Sequence, residues 1–192
     1  MRLWTMQPPE VLEIIEKTGK FTCDKEKSYW HDDEYFCRAY DYMIAQMHIN
    51  NIRQPKNTTW PIWAWHTWNW KHKKPDLRNI GLGKRGRKCV CIELEIPDNK
   101  VLLSDELQWH CVLNNDYNNP GKTEEKWDYY NDIYESLKFP FQKEIIKIAS
   151  WNNIFDVTPC DNGFVANGKY IQAVFWEIKK ENIIRTQEFI GK

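Results

Sequence analysis

The stretch Lys88-Cys-Val-Cys-Ile-Glu-Leu-Glu-Ile96 alternates strictly, with Val90, Ile92, Leu94 and Ile96 on one side and Cys89, Cys91, Glu93 and Glu95 on the other. A sustained period of two belongs to a β-strand with one apolar face. Such a strand needs neighbours, and residues 2–6, 62–65, 101–104, 170–178 and 183–189 have the same strand-like character. Helical patterns lie between them. Pro8-Pro9 opens one whose inner face is expected from Val11, Ile14, Ile15 and Thr18, and Gly19 stops it. Phe36, Tyr40, Met43 and Met47 recur at helical spacing within 33–48. Asp105 is placed to cap a helix running to Asn114, and further helices are expected near 123–137 and 140–149. Strand, helices, several strands, helices and strands again make an α+β domain with a largely antiparallel sheet, not an alternating doubly wound one. The 192 residues form one domain over 1–192, with no repeat or linker to divide it.

Charge and hydropathy narrow the function classes. Lys+Arg and Asp+Glu both number 27, so the global charge gives no pull toward nucleic acid or an anionic membrane. No apolar run approaches the ~18 residues of a membrane span. The opening MRLWTMQPPE has no basic stretch followed by an apolar one, so no signal peptide is expected and the expected location is cytoplasmic. In that compartment the cysteines at 23, 37, 89, 91, 111 and 160 are expected as free thiols.

The chemistry-bearing stretch is Pro61-Ile-Trp-Ala-Trp-His-Thr-Trp-Asn-Trp-Lys-His-Lys-Lys-Pro-Asp-Leu-Arg78. Alternation sets Trp63 and Trp65 on one face of a strand, Ile62 and Ala64 on the other. With the eight Lys/Arg of 71–88, segment 60–88 has the makings of a nucleotide or single-stranded nucleic-acid surface, aromatic faces for bases and cations for phosphates. The plainer alternative is a core strand followed by a solvated basic hairpin turning at GLGKRG. Asp76 and Arg78 offer either bidentate anion recognition or an ordinary surface pair. His66, His72, Cys89 and Cys91 are zinc-type ligands, but Cys-x-Cys on one strand does not close a tetrahedral site, and no metal is expected. No Gly-x-Ser-x-Gly, P-loop or Gly-x-Gly-x-x-Gly occurs. In Tyr170-Ile-Gln-Ala-Val-Phe-Trp-Glu-Ile178, Gln172 shares a face with Val174 and Trp176. A Gln there is costly unless its amide is bonded or meets water.

Two ends of the chain carry a resemblance. Leu3-Trp4-Thr5-Met6-Gln7, then a helix, then Gly19, resembles the first motif of the ADP-ribosyltransferase superfamily, which reads Leu-Trp-His-Gly-Ser in its poly(ADP-ribose) polymerase branch. Ile171-Gln-Ala-Val-Phe-Trp-Glu-Ile178 resembles that fold's late strand, Asn-Glu-Tyr-Ile-Val-Tyr-Asp-Ile, with Gln172 where the catalytic Glu stands. Pro61–Trp65 would stand for the strand that walls the nicotinamide site. The motifs LWT-x-Q, PIWAW and KPDLR together also resemble a bacterial domain family known by its sequence pattern alone. The transferase resemblance implies an ADP-ribosyltransferase-like fold, a split, mainly antiparallel sheet with flanking helices, and an enzyme with NAD as substrate and no metal. It would cleave the nicotinamide–ribose bond and transfer ADP-ribose to a macromolecule, protein or nucleic acid. It further implies Gln172, Thr5 and Trp65 as catalytic residues and Gln7, Trp63, Asp76 and Arg78 as NAD-binding residues. Thr5 replaces the family's His and Gln172 its Glu, so the 2′-hydroxyl keeps a partner while the negative charge is lost. The alternative is a non-catalytic nucleotide or nucleic-acid binding module built on 60–88.

Overall fold

The computed structural model describes residues 1–192. In chain order the elements are β1 (Arg2–Gln7), α1 (Glu10–Thr18), β2 (Lys20–Thr22), α2 (Glu34–Ile49), β3 (Ile62–Trp68), β4 (Lys88–Glu95), β5 (Leu102–Asp105), α3 (Glu106–Leu113), α4 (Glu124–Ser136), α5 (Pro140–Ser150), β6 (Cys160–Asp161), β7 (Ala166–Asn167), β8 (Tyr170–Phe175), β9 (Glu177–Lys179) and β10 (Ile183–Ile190). Six strands form one sheet in the order β10-β4-β1-β3-β8-β5, every pair antiparallel. The α+β class and the antiparallel sheet expected from the patterning are therefore present.

Local signals fix the element ends. Gly19 closes α1 at φ 79°, a left-handed position suited to glycine, and its N–H returns to the Ile15 carbonyl. Asp33, Asp105 and Thr123 cap α2, α3 and α4 by accepting N–H bonds from residues three further on.

The sheet buries both faces. On one, Leu3, Ile62, Ala64, Val90, Ile92, Leu94, Ala173 and Phe175 pack with Val11 and Ile15 of α1. On the other, Val174 and Trp176 pack with Ala39, Met43 and Met47 of α2, Trp109 of α3 and Trp151. Ile62 and Ala64 thus face α1, and Trp63 packs against the opposite cluster, as alternation requires.

Three expectations are corrected. GLGKRG is not a hairpin turn: β3 and β4 are separated by β1, and residues 69–87 form a crossover connection between them. Its end bonds the chain's last residues, Gly81 and Gly86 donating to Lys192 and Gly191 carbonyls. The strand expected over 170–178 breaks at Trp176, whose indole N–H reaches the Ile52 carbonyl. Beyond it β9 leaves the main sheet to pair with β2. On α1, Val11 and Ile15 alone are buried, while Ile14 and Thr18 border a cleft.

Candidate functional site

The sheet is weakest where its two sequence-marked strands meet. β1 and β3 are paired only at Trp4–Trp65. Beyond that point the Thr5 hydroxyl donates to the Trp63 carbonyl at 2.7 Å and accepts from Gln7 Nε2 at 2.7 Å. A side chain thus does what a ladder bond does elsewhere, and the two strands splay toward the carboxyl end of β1. A cleft of about 700 Å3 opens there. Gln7 and Trp63 line it with Ile14, Phe21, Tyr40 and Trp60.

Phe21, Tyr40 and Trp60 form the far wall, and aromatic packing backs it. Trp30, Phe36, Tyr40 and Trp60 follow one another at centroid separations of 5.8, 4.7 and 4.3 Å. Burial lifts the Tyr40 phenol well above its usual range, so it stays protonated, and the same cause pushes the Cys23 thiol up to about 12. Cys23 in the cleft is therefore a thiol and not a nucleophilic thiolate. Of the lysines in the cleft, Lys20 is engaged by Glu177, whereas Lys27 makes no ion pair.

The remaining expected residues lie in two other places. Trp4, Trp65, Gln172 and Ser104 are mutually paired across four adjacent strands and so project from one face. Gln172 sits mid-strand, half-buried; its Oε1 has no partner, nor has the fully buried Ser104 hydroxyl beside it. The Trp63 indole N–H also closes no hydrogen bond at good geometry, although the Tyr40 hydroxyl is its neighbour. Unpartnered buried polar atoms cost roughly 1–3 kcal/mol each, so their grouping on one face is unusual. A bulge at His66 restores that face: Trp65 opposes Gln172 and Trp68 opposes Tyr170.

Asp76 and Arg78 are neither in the cleft nor in the row. They bond each other through Nε and Nη2 at 2.9 and 2.5 Å, and Arg78 is 82% exposed. The guanidinium holds the Asp76 carboxyl far below the usual range. They border a separate hollow of about 520 Å3 with Trp68, Lys73, Lys74 and Gln187, which shares no residue with the cleft. So Thr5, Gln7 and Trp63 come together, Trp65 and Gln172 come together, and Asp76 and Arg78 form a third group.

His66 and His72 stack at 4.2 Å, while Cys89 and Cys91 are buried on β4; no three His, Cys, Asp or Glu side chains converge in metal-binding geometry. All six cysteines are free.

The cleft residues that sequence reasoning did not single out as ligands are Phe21, Lys27, Tyr40 and Trp60. Tyr40 carried the one available signal, a hydroxyl on an otherwise apolar helical stripe. No helix is long and apolar enough to cross a membrane. No curated protein and no solved structure matches the chain. Residues 2–184 match a family described as a domain of unknown function (DUF3841), and the chain belongs to that family.

Proposed function

We propose that this is an ADP-ribosyltransferase-like domain that binds NAD in the cleft at the splayed end of β1 and β3 and transfers ADP-ribose to a macromolecule. One observation carries the reading. The three strands that hold the resemblance, β1, β3 and β8, are consecutive neighbours at the sheet centre, with Trp4, Trp65 and Gln172 in one row. Nothing in their sequence positions, tens of residues apart, requires this.

The cleft suits the ligand. Its volume of about 700 Å3 falls within the ~300–1,000 Å3 of small-molecule sites. Phe21, Tyr40 and Trp63 offer aromatic faces to a nicotinamide or adenine ring. Gln7 offers an amide to a carboxamide or ribose hydroxyl, and Lys27 offers a cation to the pyrophosphate. Gln172 stands one residue pair in from Trp63 on the same face, about 6–7 Å along the strand. Its free Oε1 accepts from the 2′-hydroxyl of the nicotinamide ribose. A neutral amide does not stabilise the developing positive charge as a carboxylate does. Turnover is therefore slow, by about 10²–10³ relative to a glutamate at this position.

Calorimetric titration of NAD and ADP-ribose tests the reading. Binding that Gln7→Ala and Tyr40→Leu weaken, with nicotinamide release that Gln172→Ala lowers further, is the expected result. No heat with either ligand at high protein concentration would refute it.

A further inference from the structure

The hollow beside Asp76 and Arg78 has a chemistry of its own. Lys73 and Lys74 line it, and they also line an adjoining hollow of about 270 Å3 with Trp4, Glu93 and Arg185. The two are one groove, sharing Lys73, Lys74 and Gln187. Its acids are already engaged: Asp76 by Arg78, Glu93 by Arg2 at 3.4 Å. Lys73, Lys74 and Arg185 make no ion pair, Lys74 instead donating to Gln187 at 2.6 Å. The rest of the crossover connection adds Lys71, Lys84, Arg85 and Arg87, all exposed. The near-zero charge of the whole chain therefore conceals a local cationic track.

An aromatic element borders the same track. Trp68 is the one tryptophan of 63–70 that lines the groove. Trp65 supports it edge-on at 4.8 Å and Tyr170 lies at 4.9 Å, with Lys169 Nζ over the Tyr170 ring at 5.5 Å. A two-residue turn holds this arrangement. Trp68 and Lys71 exchange backbone hydrogen bonds around Asn69 (φ 51°) and Trp70 (φ 66°), and Trp70 N–H donates to the Lys169 carbonyl. A tryptophan in the left-handed region is uncommon and costs energy, so the surrounding bonds over-determine this turn.

We infer that this groove binds single-stranded nucleic acid, one base stacking on Trp68 and successive phosphates following Lys73, Lys74 and Arg185. Cations spaced along a groove beside an aromatic face are the chemistry of single-strand recognition, and a mononucleotide would use only one end of it. A duplex keeps its bases stacked on each other and cannot use Trp68. The groove shares no residue with the cleft, so the inference stands or falls apart from NAD binding.

Fluorescence anisotropy with labelled twelve-nucleotide oligothymidylate and oligouridylate, the matching duplex, and thymidine monophosphate as competitor is the test. Expected is single-strand binding whose log affinity falls with log salt at a slope of about −2 to −3, for three to four phosphates. Trp68→Ala weakens it about ten-fold or more. The exposed double charge reversal Lys73→Glu/Lys74→Glu abolishes it while leaving the circular dichroism spectrum and the response to NAD unchanged. The inference is overturned by no oligonucleotide binding at low salt, by binding that survives the charge reversal, by a duplex that binds as tightly, or by a monophosphate that competes as well as the oligomer.

Discussion

Individual side chains in this protein hold strands together as well as lining surfaces. Thr5 is 1% exposed and its hydroxyl serves both the Trp63 carbonyl and the Gln7 amide. Thr5→Val keeps the shape and removes both bonds, leaving a buried carbonyl unpaired. A loss of about 1–3 kcal/mol in chemical denaturation is expected, with Thr5→Ser close to the parent. A smaller cost for Thr5→Val would mean that the strands close up without the bridge. His66 behaves differently, because burial, aided by the stacked His72, pushes its ring down to about 4. The unfolded chain takes up a proton near 6.5, where the folded chain does not. The His66 contribution to stability is therefore complete above about pH 6.5 and declines as pH falls toward 4. After discounting for the half-exposed ring, about 1–2 kcal/mol is at stake. Melting temperatures followed from pH 7 to 4.5 should fall less steeply in His66→Asn; identical slopes would remove His66 from the account.

At the scale of elements, boundaries were legible in the sequence and neighbours were not. Gly19, Asp105 and the alternation of Val90 to Ile96 act over one turn or one strand, so each announces its element locally. Strand order depends on pairings between residues tens of positions apart. GLGKRG therefore resembled a hairpin although β1 lies between the strands it joins, and the cleft's far wall, built from Phe21, Tyr40 and Trp60, had no contiguous signature. Gln172 was placed by its motif, yet its row with Trp4, Trp65 and Ser104 needed the register. Asp105 shows how much one cap can hold. One carboxylate oxygen accepts from Gln108 N–H at 3.0 Å to start α3, and the other accepts from Gly168 N–H at 2.6 Å, fastening the turn before β8. An ordinary cap is worth ~1 kcal/mol. Asp105→Ala also strands the buried Gly168 N–H, so a loss of about 2–4 kcal/mol is expected by urea titration. A cost no larger than a simple cap would show that the β7–β8 turn stands without it.

Across the whole molecule, stability is unevenly spread. β1, first in sequence, is central in the sheet and pairs with β4, Arg2 opposite Glu95 and Gln7 opposite Val90. The sheet therefore cannot assemble until distant segments meet, which places folding in the slower, millisecond-to-second range of non-local topologies. Both core clusters then close on the same central strands. α4 contributes no residue to either core cluster. None of its residues is buried, and it is held by the Tyr117–Tyr134 stack at 4.2 Å and the Asn119 amide bonding the Trp127 carbonyl at 2.9 Å. A helix of 13 residues is marginal in water without packing. Native-state hydrogen exchange should therefore find α4 amides opening locally, at a free energy well below the global value and nearly independent of denaturant. Amides of β1, β3, β4 and β8 should exchange only through global unfolding. Tyr134→Ala should speed exchange in α4 without moving the sheet amides. Exchange of α4 in step with β4 would instead join this helix to the cooperative core, and its exposed aromatic face would then need a stabilising partner within the fold.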